Sequence, residues 1–382
     1  MIDPTEFISL LEALDIRFVT GVPDSLLESF CACILSRCPP ERHVIATHEG
    51  SAVGLAIGHY LATGRPALVY MQNSGLGNAV NPLTSLADPQ VYAVPMVLMI
   101  GWRGEILDDG RQLHDEPQHV KQGQITIPQL EILDIPHRIV DGHSTSVQQV
   151  LSELLDLAMS RSGPVALVVR KQTFTPFRLA DAIDEETLIS REAAIAAVIG
   201  ALPDDVPVVS TTGMASRELF ELRTVSGSGH HRDFLAVGGM GHAVQIAAGV
   251  ALATRGRQVV CLDGDGAVLM HTGGLAISAD CPNLLHIVLN NGAHDSVGGQ
   301  PTKGAVLDFT KVATACGYAR VARAVTPAEI AASVRSMLGH GLSSFLEIKC
   351  RRGARADLGR PDRTPAQHKL DFMRFVTGGR LS

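Results

Sequence analysis

Short β-rich runs, mostly apolar, recur along the chain, separated by longer stretches with helical patterning. In the first half the runs fall at 16–20, 43–47, 67–71, 96–100, 137–140 and 165–169. They do not alternate apolar with polar, so they are expected to be strands buried on both faces, as in parallel sheets. Helical patterns fill the gaps, for example over 50–62. Residues 171–190, KQTFTPFRLADAIDEETLIS, are polar and contain proline, and the scheme then repeats. The second set of runs lies at 206–210, 234–237, 258–262, 286–289, 318–321 and 344–349. Regular alternation of strand and helix predicts an α/β protein with two doubly wound parallel-sheet domains, helices covering both faces of each. The boundaries read as 1–172 for the first domain, 173–190 for a linker, 191–360 for the second domain and 361–382 for a tail. The tail is irregular until a short helix near 371–376.

In open parallel sheets, ligands sit beyond the carboxyl ends of the strands, so the residues that break each apolar run matter most. The run at 258–262 breaks at Asp263-Gly264-Asp265-Gly266, with Ala267 opening an apolar helical segment, and the run at 286–289 ends in Asn290-Asn291. Each cluster alone is ordinary turn chemistry. Together, with 26 positions from Asp265 to Asn291, they place two hard oxygen ligands at neighbouring strand ends. That suits Mg²⁺ shared with phosphate groups. Gly264 and Gly266 let the backbone approach a diphosphate, and the helix after them offers free N–H groups.

Other strand ends carry polar groups with two readings each. Asp24 and Ser25 after the first run are either a plain helix cap or part of a substrate site. His48-Glu49-Gly50 after the second places an acid at a helix start, where compensating the helix dipole is the ordinary role. Gln72, Asn73 and Ser74 belong to a glycine-rich turn expected to form a pocket wall. His114, Asp115, His119 and Lys121 fall in one loop after the fourth run, expected to be mobile and to close over an anion. In the second half, Thr212 and Gly213 are placed to approach a diphosphate, and the glycines around Met240 read as close packing on their own.

Composition narrows this little further. Hydrophobic residues make up 46% of the 382, aromatic ones only 4%, so the cores are aliphatic. A net charge of −7 without a basic run argues against a nucleic-acid surface. No apolar stretch is long enough to span a membrane, and the N-terminus lacks a signal peptide's pattern. Seven scattered cysteines without a CxxC pair read as reduced packing residues of a cytoplasmic protein.

The motifs resemble those of the phosphonopyruvate decarboxylases, within the thiamine-diphosphate enzymes. The resemblance rests on GVPDS at 21–25, THEGSAVGLAIG at 47–58, QNSGLGNAVNPL at 72–83, GWRGE at 101–105, DEPQHVKQG at 115–123, TTGMASRELFELR at 211–223, DFLAVGGMGHA at 233–243 and LNNGAHDSVGGQPT at 289–302. It implies a pyrimidine-binding and a diphosphate-binding domain with no middle domain, and two cofactors, thiamine diphosphate and Mg²⁺. Glu49 would face N1′ of the aminopyrimidine and promote loss of the thiazolium C2 proton. Met240 would wedge between the cofactor's rings, with the Gly238 carbonyl accepting from the 4′-amino group. Gln72, Thr212, Gly213, Gly264, Gly266 and Ala267 complete the implied cofactor contacts. Asp265, Asn291 and the Ala293 carbonyl would hold the metal. His48, His114 and His294 join Glu49 as catalytic candidates. Asp24, Ser25, Asn73, Ser74, Lys121 and Ser296 are implied for the substrate. The implied reaction converts 3-phosphonopyruvate to phosphonoacetaldehyde and CO₂ through an enamine, in phosphonate and antibiotic biosynthesis. It would run in a homodimer or larger homo-oligomer with sites between subunits. Sulfopyruvate decarboxylase is the nearest alternative; an acetolactate-type carboligase, or a catalytically inert member of the fold, is more distant.

Overall fold

The computed structural model describes residues 1–143, 146–179, 187–254 and 256–379. The chain divides into two compact units, Met1–Ala182 and Ile183–Ser382. The middle of the expected linker, 180–186, lies outside the described residues. Its beginning belongs to the first unit: Phe174 is buried there against Phe7, ring centroids 5.4 Å apart.

In the first unit the strands are β1 (Val19–Gly21), β2 (His43–Ile45), β3 (Ala67–Gln72), β4 (Met96–Gly101), β5 (His137–Val140) and β6 (Pro164–Val169). All pair in parallel, in the order β2-β1-β3-β4-β6-β5. Helices α1 (Pro4–Ala13), α2 (Glu28–Arg37), α3 (Glu49–Thr63), α4 (Leu76–Pro82), α5 (Pro117–Ile132) and α6 (Val147–Arg161) connect them. β4 and β6 are buried along their whole length, which is why their sequences are apolar without alternation. Two apolar clusters, one on each face of the sheet, form the core.

The second unit holds α7 (Arg191–Ala201), β7 (Val208–Ser210), α8 (Met214–Ser226), β8 (Asp233–Leu235), α9 (Ala243–Ala253), β9 (Val259–Gly264), α10 (Asp265–Met270), α11 (Gly274–Ser278) and β10 (Leu284–Asn290). A two-stranded hairpin follows, β11 (Ala293–His294) with β12 (Gln300–Pro301), then α12 (Phe309–Ala315), β13 (Arg320–Ala324), α13 (Pro327–Met337), β14 (Ser344–Lys349) and α14 (Pro365–Thr377). The sheet order is β13-β14-β10-β9-β7-β8, again wholly parallel. Taken from the other edge, the strands follow the same succession as in the first unit: second, first, third, fourth, sixth, fifth. In both units the winding reverses between the first and third strands, the position at which doubly wound sheets open a crevice.

Local departures from the expected elements have local causes. β13 is displaced toward the C-terminus because its register with β14 pairs Arg320 with Ser344. The final helix is longer than expected because Thr364 and Gln367 form a reciprocal capping box, with Pro365 opening the first turn. Its Phe372 is buried in the second unit's core, so much of the expected tail is part of that unit. The segment 114–123 is not one mobile loop. Pro117 starts α5, a proline's fixed φ being suited to the first helical position, and His119 and Lys121 therefore lie on a helix.

Candidate active site

In the first unit Glu49 is the first residue of α3 and is buried, 5% exposed. His48 caps the helix, its Nδ1 accepting from the Gly50 N–H at 3.0 Å. Asn78 of α4 donates to Glu49 Oε2 at 2.9 Å. A Cβ on Gly75 would stand 2.4 Å from Glu49 Oε1, so only glycine lets that turn close on the acid. Glu49 thus does more than compensate a helix dipole. Its carboxyl is taken out of water and held in one orientation.

A second cluster gathers at the ends of β1, β3 and β4. Asp24 is fully buried, accepting from Gln72 Nε2 at 3.1 Å and from the Leu26 N–H at 3.2 Å. Burial pushes its carboxyl up to about 6, against the pull of the nearby Arg103. Ser74 donates to Gln72 Oε1 at 2.8 Å. Arg103 lies two residues beyond β4. Its Nε and Nη2 donate to Asp115 at 2.7 and 2.5 Å, and its Nη1 donates to Ser25 at 2.8 Å. Burial pushes the Asp115 carboxyl up, but the hydrogen bonds from Arg103 and the Glu116 N–H outweigh it and hold the group well below the usual carboxylate range. Three of the guanidinium's five N–H groups are used in these bonds. Asn73 is buried, and its amide bonds the main chain of Arg103 on both sides and the Thr126 hydroxyl. It positions Arg103 and has little left for a ligand. His114 and Lys121 are exposed, and His119 is buried within α5, where its charge favours the ionised Asp115.

In the second unit a cleft opens at the carboxyl ends of β7, β9 and β10. Thr212, Met240, Gly264 and Asp265 line it, as do Gly266, Ala267, Asn291 and Ala293, with His294 and Ser296 at the hairpin side. The structure thus brings these ten together along one cleft. Gly213 lies beside it, 3.6 Å from Ser296 at the nearest approach of an added Cβ. Gly238 is in the β8–α9 connection that carries Met240.

Asp265 is 2% exposed and begins α10. Burial pushes its carboxyl up to about 6, while the Thr302 hydroxyl and the backbone N–H groups of Asp265 and Asn291 pull it down. A Cβ on Gly304 would fall 2.4 Å from Asp265 Oδ2, so this acid too is enclosed by a glycine. Asn291 donates from Nδ2 to Asp295 Oδ2 at 2.7 Å and accepts at Oδ1 from the Ala293 N–H at 3.2 Å. Asn290 is spent on structure, donating to Gly304 and Glu347. Burial pushes the His294 ring down to about 4, against the attraction of Asp295, so it is neutral at physiological pH.

These donors fit a small hard cation. Asp265, Asn291 and Ala293 line one cleft and offer it a carboxylate, a side-chain carbonyl and a main-chain carbonyl, and the carboxylate is one that burial penalises until a positive charge joins it. Four residues that the sequence did not single out support the site: Thr302 on Asp265, and Asp295, Arg191 and Glu218 behind Asn291. Arg191 and Glu218 are 27 positions apart, a separation that carries no local signal. Asp295 is visible only as an acid four residues after Asn291.

Among the described residues no helix is long and apolar enough to cross a membrane, and the seven cysteines are all unpaired.

Comparison with known proteins agrees with this geometry. Residues 5–129 match the N-terminal TPP binding domain of the thiamine pyrophosphate enzymes, and residues 211–348 match their C-terminal TPP binding domain. A phosphonopyruvate decarboxylase of Streptomyces viridochromogenes is 34% identical, with 99% of this chain and 96% of the relative covered. One from Streptomyces hygroscopicus is 32% identical, with 99% and 94% covered. A sulfopyruvate decarboxylase of Methanosarcina acetivorans is 24% identical, with 92% of each covered. With two TPP-binding domains and full-length relatives of this kind, the chain belongs to the thiamine pyrophosphate enzymes and, among their decarboxylases, to the phosphonopyruvate decarboxylase family.

Proposed function

We propose that the protein decarboxylates 3-phosphonopyruvate to phosphonoacetaldehyde and CO₂, with thiamine diphosphate and Mg²⁺, in the cytoplasm and as a step of phosphonate biosynthesis. One observation carries the choice of reaction: relatives bearing that name match along nearly their whole length, while the full-length relative named for sulfopyruvate shares markedly less identity. In this reading the first unit binds the pyrimidine and the second the diphosphate.

Bound thiamine diphosphate supplies the electron sink for the carbanion that decarboxylation leaves. The chain supplies the rest. Asp265, Asn291 and the Ala293 carbonyl hold the cation, and the Gly264–Ala267 turn with Thr212 and Gly213 receives the diphosphate. Met240 and the Gly238 carbonyl orient the rings. Glu49, held by Asn78 and Gly75 on a helix that His48 caps, would be the group to exchange a proton with the aminopyrimidine when it is bound. His294 and Ser296 stand at the second unit's own cleft and serve proton transfer and substrate contact.

The substrate is a carboxylate and a phosphonate on a short carbon chain, so its site needs fixed cationic donors. Arg103, braced by Asp115 and Ser25 beside Asp24, Gln72 and Ser74, provides one. We assign it the distal phosphonate, which has a more basic oxygen and up to one more charge than a sulfonate and gains more from charge-assisted hydrogen bonds. Lys121 and His114, exposed as they stand, are secondary to it. A homodimer or larger homo-oligomer, in which Glu49 of one subunit serves the diphosphate domain of another, completes the proposal. The test is aldehyde formation from phosphonopyruvate, sulfopyruvate and pyruvate side by side, with and without thiamine diphosphate and Mg²⁺. Preference for phosphonopyruvate is expected; preference for sulfopyruvate would assign the protein to the neighbouring activity.

A further inference from the structure

We propose that Asp295 is a positioning residue for the cation ligand Asn291, and that with Arg191 it decides which end of the Asn291 amide faces the cleft. The inference rests on the reading above that Asp265 and Asn291 hold a divalent cation.

An asparagine is a poor metal ligand unless its orientation is set. Its two ends have nearly the same shape, but only the oxygen can coordinate a cation, whereas the amide nitrogen presents two hydrogens. At Asn291 the amide is held at both ends: the Ala293 N–H donates to Oδ1 at 3.2 Å, and the nitrogen end is fixed by one oxygen atom of Asp295. Asp295 Oδ2 accepts from Asn291 Nδ2 at 2.7 Å, from Arg191 Nη1 at 2.6 Å and from the Gly353 N–H at 3.1 Å. Turning the amide over would bring its carbonyl oxygen against a carboxylate oxygen, two acceptors with no proton between them. The nitrogen therefore stays on Asp295, and Oδ1, which accepts from the Ala293 N–H, keeps its second lone pair for a cation.

The brace is rigid for its own reasons. Arg191 opens α7 and is 7% exposed. Its Nε and Nη2 form a bidentate pair with Glu218, itself 1% exposed, at 2.8 and 3.0 Å. A planar guanidinium held on one edge by Glu218 can present its remaining nitrogen to Asp295 in only one direction. The acid, the guanidinium and the second acid come from α8, α7 and the turn after β11. The orientation of a ligand at the end of β10 is thereby tied to the packing of two helices.

The experiment measures Mg²⁺ affinity of the thiamine-diphosphate-loaded protein by calorimetry, with Mn²⁺ and its electron paramagnetic resonance spectrum as a second readout and no substrate present. Asp295→Ala leaves the Arg191–Glu218 pair intact and should weaken cation binding about 10- to 100-fold, as loss of a partner that orients a ligand does. Asp295→Asn keeps an acceptor oxygen for all three donors and should stay close to wild type. In an Asn291→Asp background both ligand atoms are oxygens, so Asp295→Ala should cost no affinity there. Unchanged affinity in Asp295→Ala overturns the proposal. So does an equal loss in the Asn291→Asp background, or a loss in Asp295→Asn as large as in Asp295→Ala, because each points to general destabilisation. Asp295→Ala should also unfold at a lower temperature than Asp295→Asn without cation, because Arg191 and the Gly353 N–H lose their acceptor, so affinities are compared at a temperature where circular dichroism shows both variants folded. If wild type binds no divalent cation, the cation reading itself falls, an outcome distinct from the others.

Discussion

Arg103→Lys separates a substrate-binding arginine from a structural one. The change keeps a positive charge beside Asp115 and so avoids stranding that carboxylate, which has 17% of its side chain exposed. What it removes is geometry. The guanidinium makes two hydrogen bonds to Asp115 and one to Ser25, and its fork still has N–H groups to give. An ammonium is a point charge with three donors and no fork. Once it pairs with Asp115 it cannot also reach Ser25 and hold two oxygens of a phosphonate. Hydrogen bonds to charged groups contribute about 1.5–3 kcal/mol each. Losing one such contact should raise KM for phosphonopyruvate roughly 10- to 150-fold, at about 1.4 kcal/mol per decade. The contact is made equally in the bound substrate and the transition state, so kcat should change little. Pyruvate has no distal anion, and its slow turnover should be nearly unaffected. The assay is steady-state aldehyde release, coupled to a dehydrogenase, for both substrates. Equal proportional losses with both substrates would refute the assignment and leave Arg103 a structural residue. A phosphonate-specific rise in KM for Lys121→Ala, without one for Arg103→Lys, would move the anion site to α5.

Three further outcomes are expected. Glu49→Gln keeps the hydrogen bond to Asn78 but cannot exchange a proton, so C2–H exchange of bound thiamine diphosphate, followed by NMR in deuterium oxide, should slow by ~10²–10⁴-fold; exchange at the wild-type rate would pass the role to another group. Asp265→Ala should abolish retention of thiamine diphosphate in calorimetry, and mixing it with Glu49→Gln chains should restore some activity if subunits share sites; no recovery despite subunit exchange would count against sharing. Asp24→Asn tests the buried acid by pH. Asp24 is raised to about 6 when folded against ~3.9 unfolded, so the folded state holds the proton more tightly and this group's contribution to stability rises as pH falls through 6. The variant's advantage over wild type in urea unfolding should therefore be largest near pH 7.5 and shrink by about 2 kcal/mol on going to pH 4.5, at 1.36 kcal/mol per pH unit below the folded value; a constant difference would mean the acid is not so penalised.

Much of this was legible in the sequence because parallel sheets write themselves plainly. A strand buried on both faces is largely apolar, so β3, β4, β6 and β9 were recognisable as runs, and β10 was too despite its buried His286. Their first polar residues then marked the crevice. What stayed hidden depends on side chains meeting across long separations. Asn78 and Glu49 are 29 positions apart, and Arg103 and Ser25 are 78 apart; neither spacing has a local period. The segment at 114–123 misled because its polar composition suits a loop, whereas Pro117 makes it the start of a helix. Asn73 misled in the other sense. It is a polar residue at a strand end, but burial commits its amide to the main chain of Arg103.

The two units solve one positioning problem in the same way with opposite chemistry. In each, the fourth strand of the sheet ends at the crevice and delivers a functional side chain just beyond its last residue. In the first unit that is Arg103, two past the end of β4, and in the second it is Asn291, one past the end of β10. A parallel strand hydrogen-bonded on both sides fixes its main chain firmly, but it does not fix the rotation of a side chain beyond its end. An aspartate from the following connection does that: Asp115 grips the guanidinium at 2.7 and 2.5 Å, and Asp295 grips the amide at 2.7 Å. The acids differ in what they leave open. Asp115 occupies one edge of a cation and leaves donors for an anion. Asp295 occupies the donor end of an amide and leaves an acceptor for a cation. On the assignments proposed above, one strand order, used twice, would yield a site for negative charge in one unit and a site for positive charge in the other. The difference is set by which residue follows the fourth strand, with an aspartate fixing its direction in both.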